Sequence, residues 1–210
     1  IPLYLLVVML FKNRKRALLY LQCIAIGVPI WYIIGILINL SPRFVTLEGV
    51  ESKTILGEAV MFTYIGLSAG DVMSGLLSQW FKSRKKVIFL YLMMSIGLVA
   101  YYLSSETISL TEFRVNCFLL GFGTGYWALF VQVASENFGT NIRSTVTNTV
   151  PNFVRGSVVL ITLSFKSLTQ SMDVRDAAII VGAVCLSLAL VSLVAMKETF
   201  SKDLDYHELD

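Results

Sequence analysis

Six runs of about 20 mostly apolar residues, separated by short polar segments, leave this chain few ways to fold. About 20 such residues is what an α-helix needs to cross the hydrocarbon core of a bilayer. The runs are 17–40, 56–81, 86–104, 113–135, 144–166 and 176–196. A membrane β-barrel would need shorter segments of alternating polarity, which are absent. Apolar residues make up 56% of the 210, and their grouping into blocks is what points away from a soluble core. The expected fold is all-α and integral to a membrane: a bundle of six transmembrane helices over 17–196. Residues 1–16 form a cytoplasmic interfacial segment or linker, and 197–210 a charged cytoplasmic tail. The short apolar run Ile1–Phe11 is too brief to span and lacks a signal-peptide pattern. It reads as an interfacial helix or the trailing end of a preceding span.

Loop charges set the orientation. Lys12, Arg14–Arg16, Lys82, Arg84–Lys86, Arg143, Lys197 and Lys202 fall on one side, and Arg43, Lys53, Arg114, Lys166 and Arg175 on the other. Lys and Arg concentrate on the cytoplasmic side of membrane proteins, so both termini are expected there, in a plasma or inner membrane. Topology accounts for the basic clusters, and nucleic acid is not an expected partner. Cys23, Cys117 and Cys185 all fall inside spans and suit packing rather than a disulfide framework. The single histidine, His207, lies in the tail, and no nucleophile–base pair or metal-ligand cluster occurs in the spans. Neither an enzyme, a metal nor a cofactor is expected.

Charge inside a span is costly and usually faces a cavity or a partner. Asp71 lies eleven residues before Lys82, about 16 Å from the basic boundary at ~1.5 Å per residue. Arg155 lies twelve residues after Arg143, about 18 Å deep on the same count. Equal depth permits an ion pair between them. Thr145, Asn148, Asn152, Arg155 and Thr162 share an arc of about 100° on a helical wheel, as in a helix lining an aqueous cavity. Pro151 in the same run predicts a kink. Gln132, Tyr126 and Trp127 in the fourth span, with Gln22, Trp31 and Tyr32 in the first, are further candidate solute contacts. Small residues four apart (Gly66, Gly70, Ser74 and Ser78) and the Gly121–Gly125 stretch fit close helix packing. On the basic side, Glu136, Arg143, Arg84, Lys82 and Gln79 could tie helix ends together as a gate.

Three junctions resemble motifs of the major facilitator superfamily. Gly75-Leu-Leu-Ser-Gln-Trp-Phe-Lys82-Ser-Arg84-Lys85 resembles the loop joining the second and third helices of each half, with Gln79 where that motif has Asp. Glu136-Asn-Phe-Gly-Thr-Asn-Ile-Arg143 is similar to the Glu-x-x-(Pro/Gly)-Thr-x-x-Arg loop before the eleventh helix of sugar and organic-ion porters. Lys197-Glu-Thr-Phe-Ser-Lys-Asp-Leu resembles the Pro-Glu-Thr-x-x-Lys segment after the twelfth, Lys197 replacing Pro. The resemblance implies the C-terminal six-helix half of a secondary transporter of a small organic solute. Arg155 stands where organic-anion porters carry an arginine, which implies an anionic or zwitterionic solute, with Asp71 available to a coupling proton. The implied partners are the bilayer and an N-terminal six-helix half or a second copy. A non-transporting scaffold or sensor module, or a dimerising half-transporter, is the alternative reading.

Overall fold

The computed structural model describes residues 13–45, 52–105, 109–202 and 205, so the run Ile1–Phe11 and His207 lie outside it. Among the described residues every regular element is helical. In chain order these are α1 (Arg14–Tyr32, continued by a π-helical stretch Ile33–Ile38), α2 (Ser52–Trp80), α3 (Arg84–Ser104), α4 (Leu110–Thr124), α5 (Trp127–Glu136), α6 (Thr140–Leu168) and α7 (Val174–Ala195). A short 3-10 turn occupies Ser41–Arg43. Because α4 and α5 run on as one interrupted rod, the seven helices make six rods.

Five rods are long and apolar enough to cross a membrane: Arg14–Ile38, Thr54–Trp80, Arg84–Ser104, Leu110–Glu136 and Val174–Ala195. α6 is the departure from six hydrophobic spans. It has 29 residues, about 43 Å at ~1.5 Å per residue, so length is not what it lacks. Asn141, Arg143, Asn148, Asn152 and Arg155 lower its apolarity. Its helix also continues through Pro151 without a break. Val72, Leu160, Val184 and Val191 are each 63–69% exposed, a distribution that suits a lipid-covered surface and not a water-covered one.

The helices start where side chains satisfy orphan N–H groups. Asn13 caps α1 through the Lys15 amide (3.0 Å), Ser83 caps α3 through the Lys86 amide (3.1 Å), and Asp173 caps α7 through the Arg175 amide (2.9 Å). Ser109 and Glu112 form a reciprocal capping box at α4.

α2 packs against α4 through glycine. A Cβ on Gly66 would collide with the Phe118 carbonyl, and one on Gly121 with the Thr63 carbonyl, so these backbones touch only because both residues lack side chains. Gly75, from the same stretch of sequence, faces open space. In the first half of α7, Gly182 gives room to the Tyr32 ring, whose hydroxyl donates to the Ala178 carbonyl at 2.7 Å. All three cysteines are buried free thiols.

α3 and α7 run antiparallel and exchange cations at their ends. Lys85 in the first turn of α3 donates to the Val194 and Met196 carbonyls, both at 2.7 Å. Arg175 in the first turn of α7 donates to the Leu103 and Ser105 carbonyls and to Phe44. Each thus satisfies carbonyls that the other helix's last turn leaves without partners.

Candidate functional site

The fourth rod breaks at Gly125 and Tyr126, between α4 and α5. The break lies where α2 again presses close: a Cβ on Gly70 would meet the Phe122 carbonyl and lie 2.9 Å from the Gly125 Cα. A helix that begins partway along a span has amides in need of acceptors. Asp71 supplies one from α2, its Oδ1 accepting from the Ala128 N–H at 3.0 Å. The next side chain back, Trp127, stands edge-on to Trp31 (6.2 Å) and to Phe130 (5.0 Å). The Arg155 guanidinium lies 5.2 Å above the Trp127 ring, a cation–π contact. Trp31 keeps its indole N–H buried with no acceptor among the described residues.

Four rods therefore deliver an acid, a base and two tryptophans to one place. No ion pair joins Asp71 to Arg155 among the described residues; each reaches the Trp127–Ala128 step by its own route. Arg155 is exposed, its one side-chain hydrogen bond among the described residues a long one to Asn152 Oδ1 (3.5 Å). Asn148 and Asn152 are exposed and donate to the carbonyls one turn back, Ser144 and Asn148, at 2.8 Å each. Across the helix, Ile142, Val146, Val150, Val154, Ile161 and Phe165 are the buried residues of α6. The polar stripe is thus turned away from the bundle's own core.

The other solute candidates scatter. Tyr126 is 1% exposed and gives its hydroxyl to the Ile26 carbonyl at 3.0 Å, a core contact. Gln132 reaches Glu136 at 2.9 Å, away from Arg155. Gln22 is half-buried on α1. Among the described residues no group of three His, Cys, Asp or Glu side chains comes together to hold a metal ion.

At the basic end a second constellation closes around Glu136 and Arg84, each 6% exposed. Arg84 Nη2 meets Glu136 Oε1 at 3.3 Å, its Nη1 donates to Ser78 Oγ at 2.6 Å, and its guanidinium sits 5.0 Å over the Phe200 ring. Glu136 Oε2 accepts from Thr199 Oγ1 at 2.7 Å. Glu198 takes hydrogen bonds from Ser83 Oγ and from the amides of Arg84, Lys85, Thr199 and Phe200. Burial pushes the Glu198 carboxyl up, but the Ser83 hydroxyl and the Phe200, Arg84 and Thr199 amides outweigh it and hold it below the usual carboxylate range. Arg143 donates to the Ser135 and Phe138 carbonyls at 3.1 Å, tying the end of α5 to the start of α6. Lys82 and Gln79, the other two gate candidates, are exposed and lie outside the clasp; Lys82 occupies the turn at φ 48°.

Glu198 and Thr199 enter the clasp without having been singled out as gate residues. The signal was present: Ser83 opens a helix just after a basic turn, and an acid follows the last span. Only the fold shows that these two ends are neighbours. No family model, curated protein or solved structure matches the chain.

Proposed function

We propose that this chain is a six-helix half of a secondary active transporter that moves a small anionic or zwitterionic organic solute by alternating access. The observation that carries the reading is the outward polar face of α6. Asn148, Asn152 and Arg155 point away from an apolar core at a depth where lipid would face them. Arginine against hydrocarbon costs about 2.5–3.5 kcal/mol on insertion scales, so this face needs water, a solute or a second bundle. Transporters of this design bind at mid-membrane between two bundles, with interrupted helices at the site. The break at Gly125–Tyr126, capped by Asp71, supports that placement. In this reading α6 is the fifth of six spans, buried against its partner bundle.

Arg155 holds the anionic group, Asn148 and Asn152 supply hydrogen bonds, and Asp71 receives a solute ammonium or a coupling proton. The clasp at the basic end locks the ends of α2, α3 and α5 while the opposite side is open, and parts on rocking. In proteoliposomes holding the full-length protein, Arg155→Ala abolishes uptake of organic anions while leaving insertion intact; undiminished uptake would refute the assignment.

A second reading rests on the same face: a dimerising half, or a scaffold that does not transport. Cysteine at position 152 distinguishes them. Efficient 152–152 crosslinking between identical chains favours the dimer, and none favours a separate partner bundle.

A further inference from the structure

A groove of about 340 Å³ opens sideways between the basic ends of α3 and α7. Its floor is apolar, made by Phe89, Leu193 and Val194, and its upper wall carries Lys86 and Glu198. The charges built into that wall are already spent, with one exception. Both Glu198 oxygens are filled by Ser83 and by backbone amides, and the Lys85 ammonium is committed to two carbonyls. Lys86 is exposed, and among the described residues its hydrogen bond is made by its backbone amide while its ammonium has no partner. Lys82 stands exposed on the adjoining turn, next to Trp80 and Phe81, whose stacked rings are 77% and 44% exposed. Exposed aromatic rings beside lysines mark the level of the membrane–water boundary. The groove therefore has an apolar lower part within the bilayer and uncompensated positive charge at headgroup height.

We infer that this groove binds one anionic phospholipid of the basic-side leaflet, an acyl chain lying on Phe89, Leu193 and Val194 and the phosphate at Lys86 and Lys82. Charge complementarity selects this occupant: a zwitterionic lipid fills the apolar floor equally well but leaves the lysines unanswered. Because Ser83 and Glu198 form part of the groove wall, an occupied groove braces the clasp from outside. The inference requires membrane insertion and is independent of whether the chain transports.

Native mass spectrometry of the full-length protein released from nanodiscs tests it, with phosphatidylglycerol and phosphatidylcholine as the probes. Wild type retains one phosphatidylglycerol in preference to phosphatidylcholine. Lys82→Gln and Lys86→Gln each weaken that retention about fivefold, and together ~30-fold, at the energy that one basic residue contributes near an anionic surface. Lys166→Gln, at the opposite end, changes nothing. Val194→Trp fills the groove with both lysines in place and also loses the lipid. Phosphatidylglycerol retained by Val194→Trp, equal retention of the two lipids by wild type, or displacement by millimolar inorganic phosphate would each overturn the proposal. Circular dichroism and a monodisperse elution profile exclude misfolding as the cause of any loss.

Discussion

The pair Arg84–Glu136 offers the sharpest test of the clasp. Glu136→Gln keeps the volume of the side chain but removes its charge and leaves one accepting oxygen where there were two. Arg84, 6% exposed, then keeps Ser78 and the Phe200 ring as partners, with its Nε already lacking one. Removing one member of a buried ion pair costs about 3–5 kcal/mol, because the other charge stays buried and uncompensated. Arg84→Met made alone strands Glu136 less severely, since Gln132 (2.9 Å) and Thr199 (2.7 Å) still donate to it; hydrogen bonds to a charged group contribute about 1.5–3 kcal/mol. The double variant buries no charge, so its cost should fall below the sum of the two single costs by about 2–3 kcal/mol. Equilibrium unfolding in mixed detergent micelles, followed by tryptophan fluorescence, gives all four corners of the cycle. Additivity within about 0.5 kcal/mol would show that the two side chains do not act as a unit and would end the argument for a clasp.

The glycine contacts separate by position. Gly121→Ala, whose new methyl meets the Thr63 carbonyl, should destabilise by about 1–3 kcal/mol, whereas Gly75→Ala, with open space around it, should be neutral or gain up to about 1 kcal/mol of helix propensity; thermal melts in detergent compare the two. Asp71→Ala removes the cap on Ala128 and should cost about 0.5–2 kcal/mol. Asp71→Asn keeps an acceptor there, so it should melt like wild type while losing any pH dependence of uptake; a lowered melting temperature in Asn would mean that the charge itself holds α5. Glu198 has a folded pKa below its unfolded one, so its contribution is complete above the ordinary carboxylate value of about 4.3 and is lost as pH falls through the lower folded value. The melting-temperature gap between wild type and Glu198→Gln should therefore hold constant from pH 7 to 5 and narrow only in more acidic buffer.

Five of the six expected spans were legible because apolar length is a one-dimensional property; the run 144–166 forms a helix too polar to stand with them. The expected run 86–104 and the observed Arg84–Ser104 differ by one turn at most. Direction around each helix was harder to read. The wheel grouped Asn148, Asn152 and Arg155 correctly on one face, but only packing shows that the face turns outward. Depth arithmetic put Asp71 and Arg155 level without showing that Trp127 and the start of α5 take the contacts a direct pair would have made. The interruption at Gly125–Tyr126 and the π-helical stretch Ile33–Ile38 leave no mark in hydropathy, since the residues on both sides remain apolar. The clasp was half visible: Glu136 and Arg84 were expected at one end, whereas Glu198 and Thr199 required knowing that the chain returns to the same corner.

The reciprocal cations of α3 and α7 bear on how the bundle can deform. Two rods fastened at one end resemble a pair of tongs and can splay. Fastened at both ends, by Lys85 to Val194 and Met196 and by Arg175 to Leu103 and Ser105, they behave as a closed frame that resists both splaying and sliding. Flexing then falls to the rods outside the frame, α1 with its π-helical turn and the α4–α5 rod with its break. The two interrupted rods, which bring Trp31 and Trp127 together, are not part of that frame.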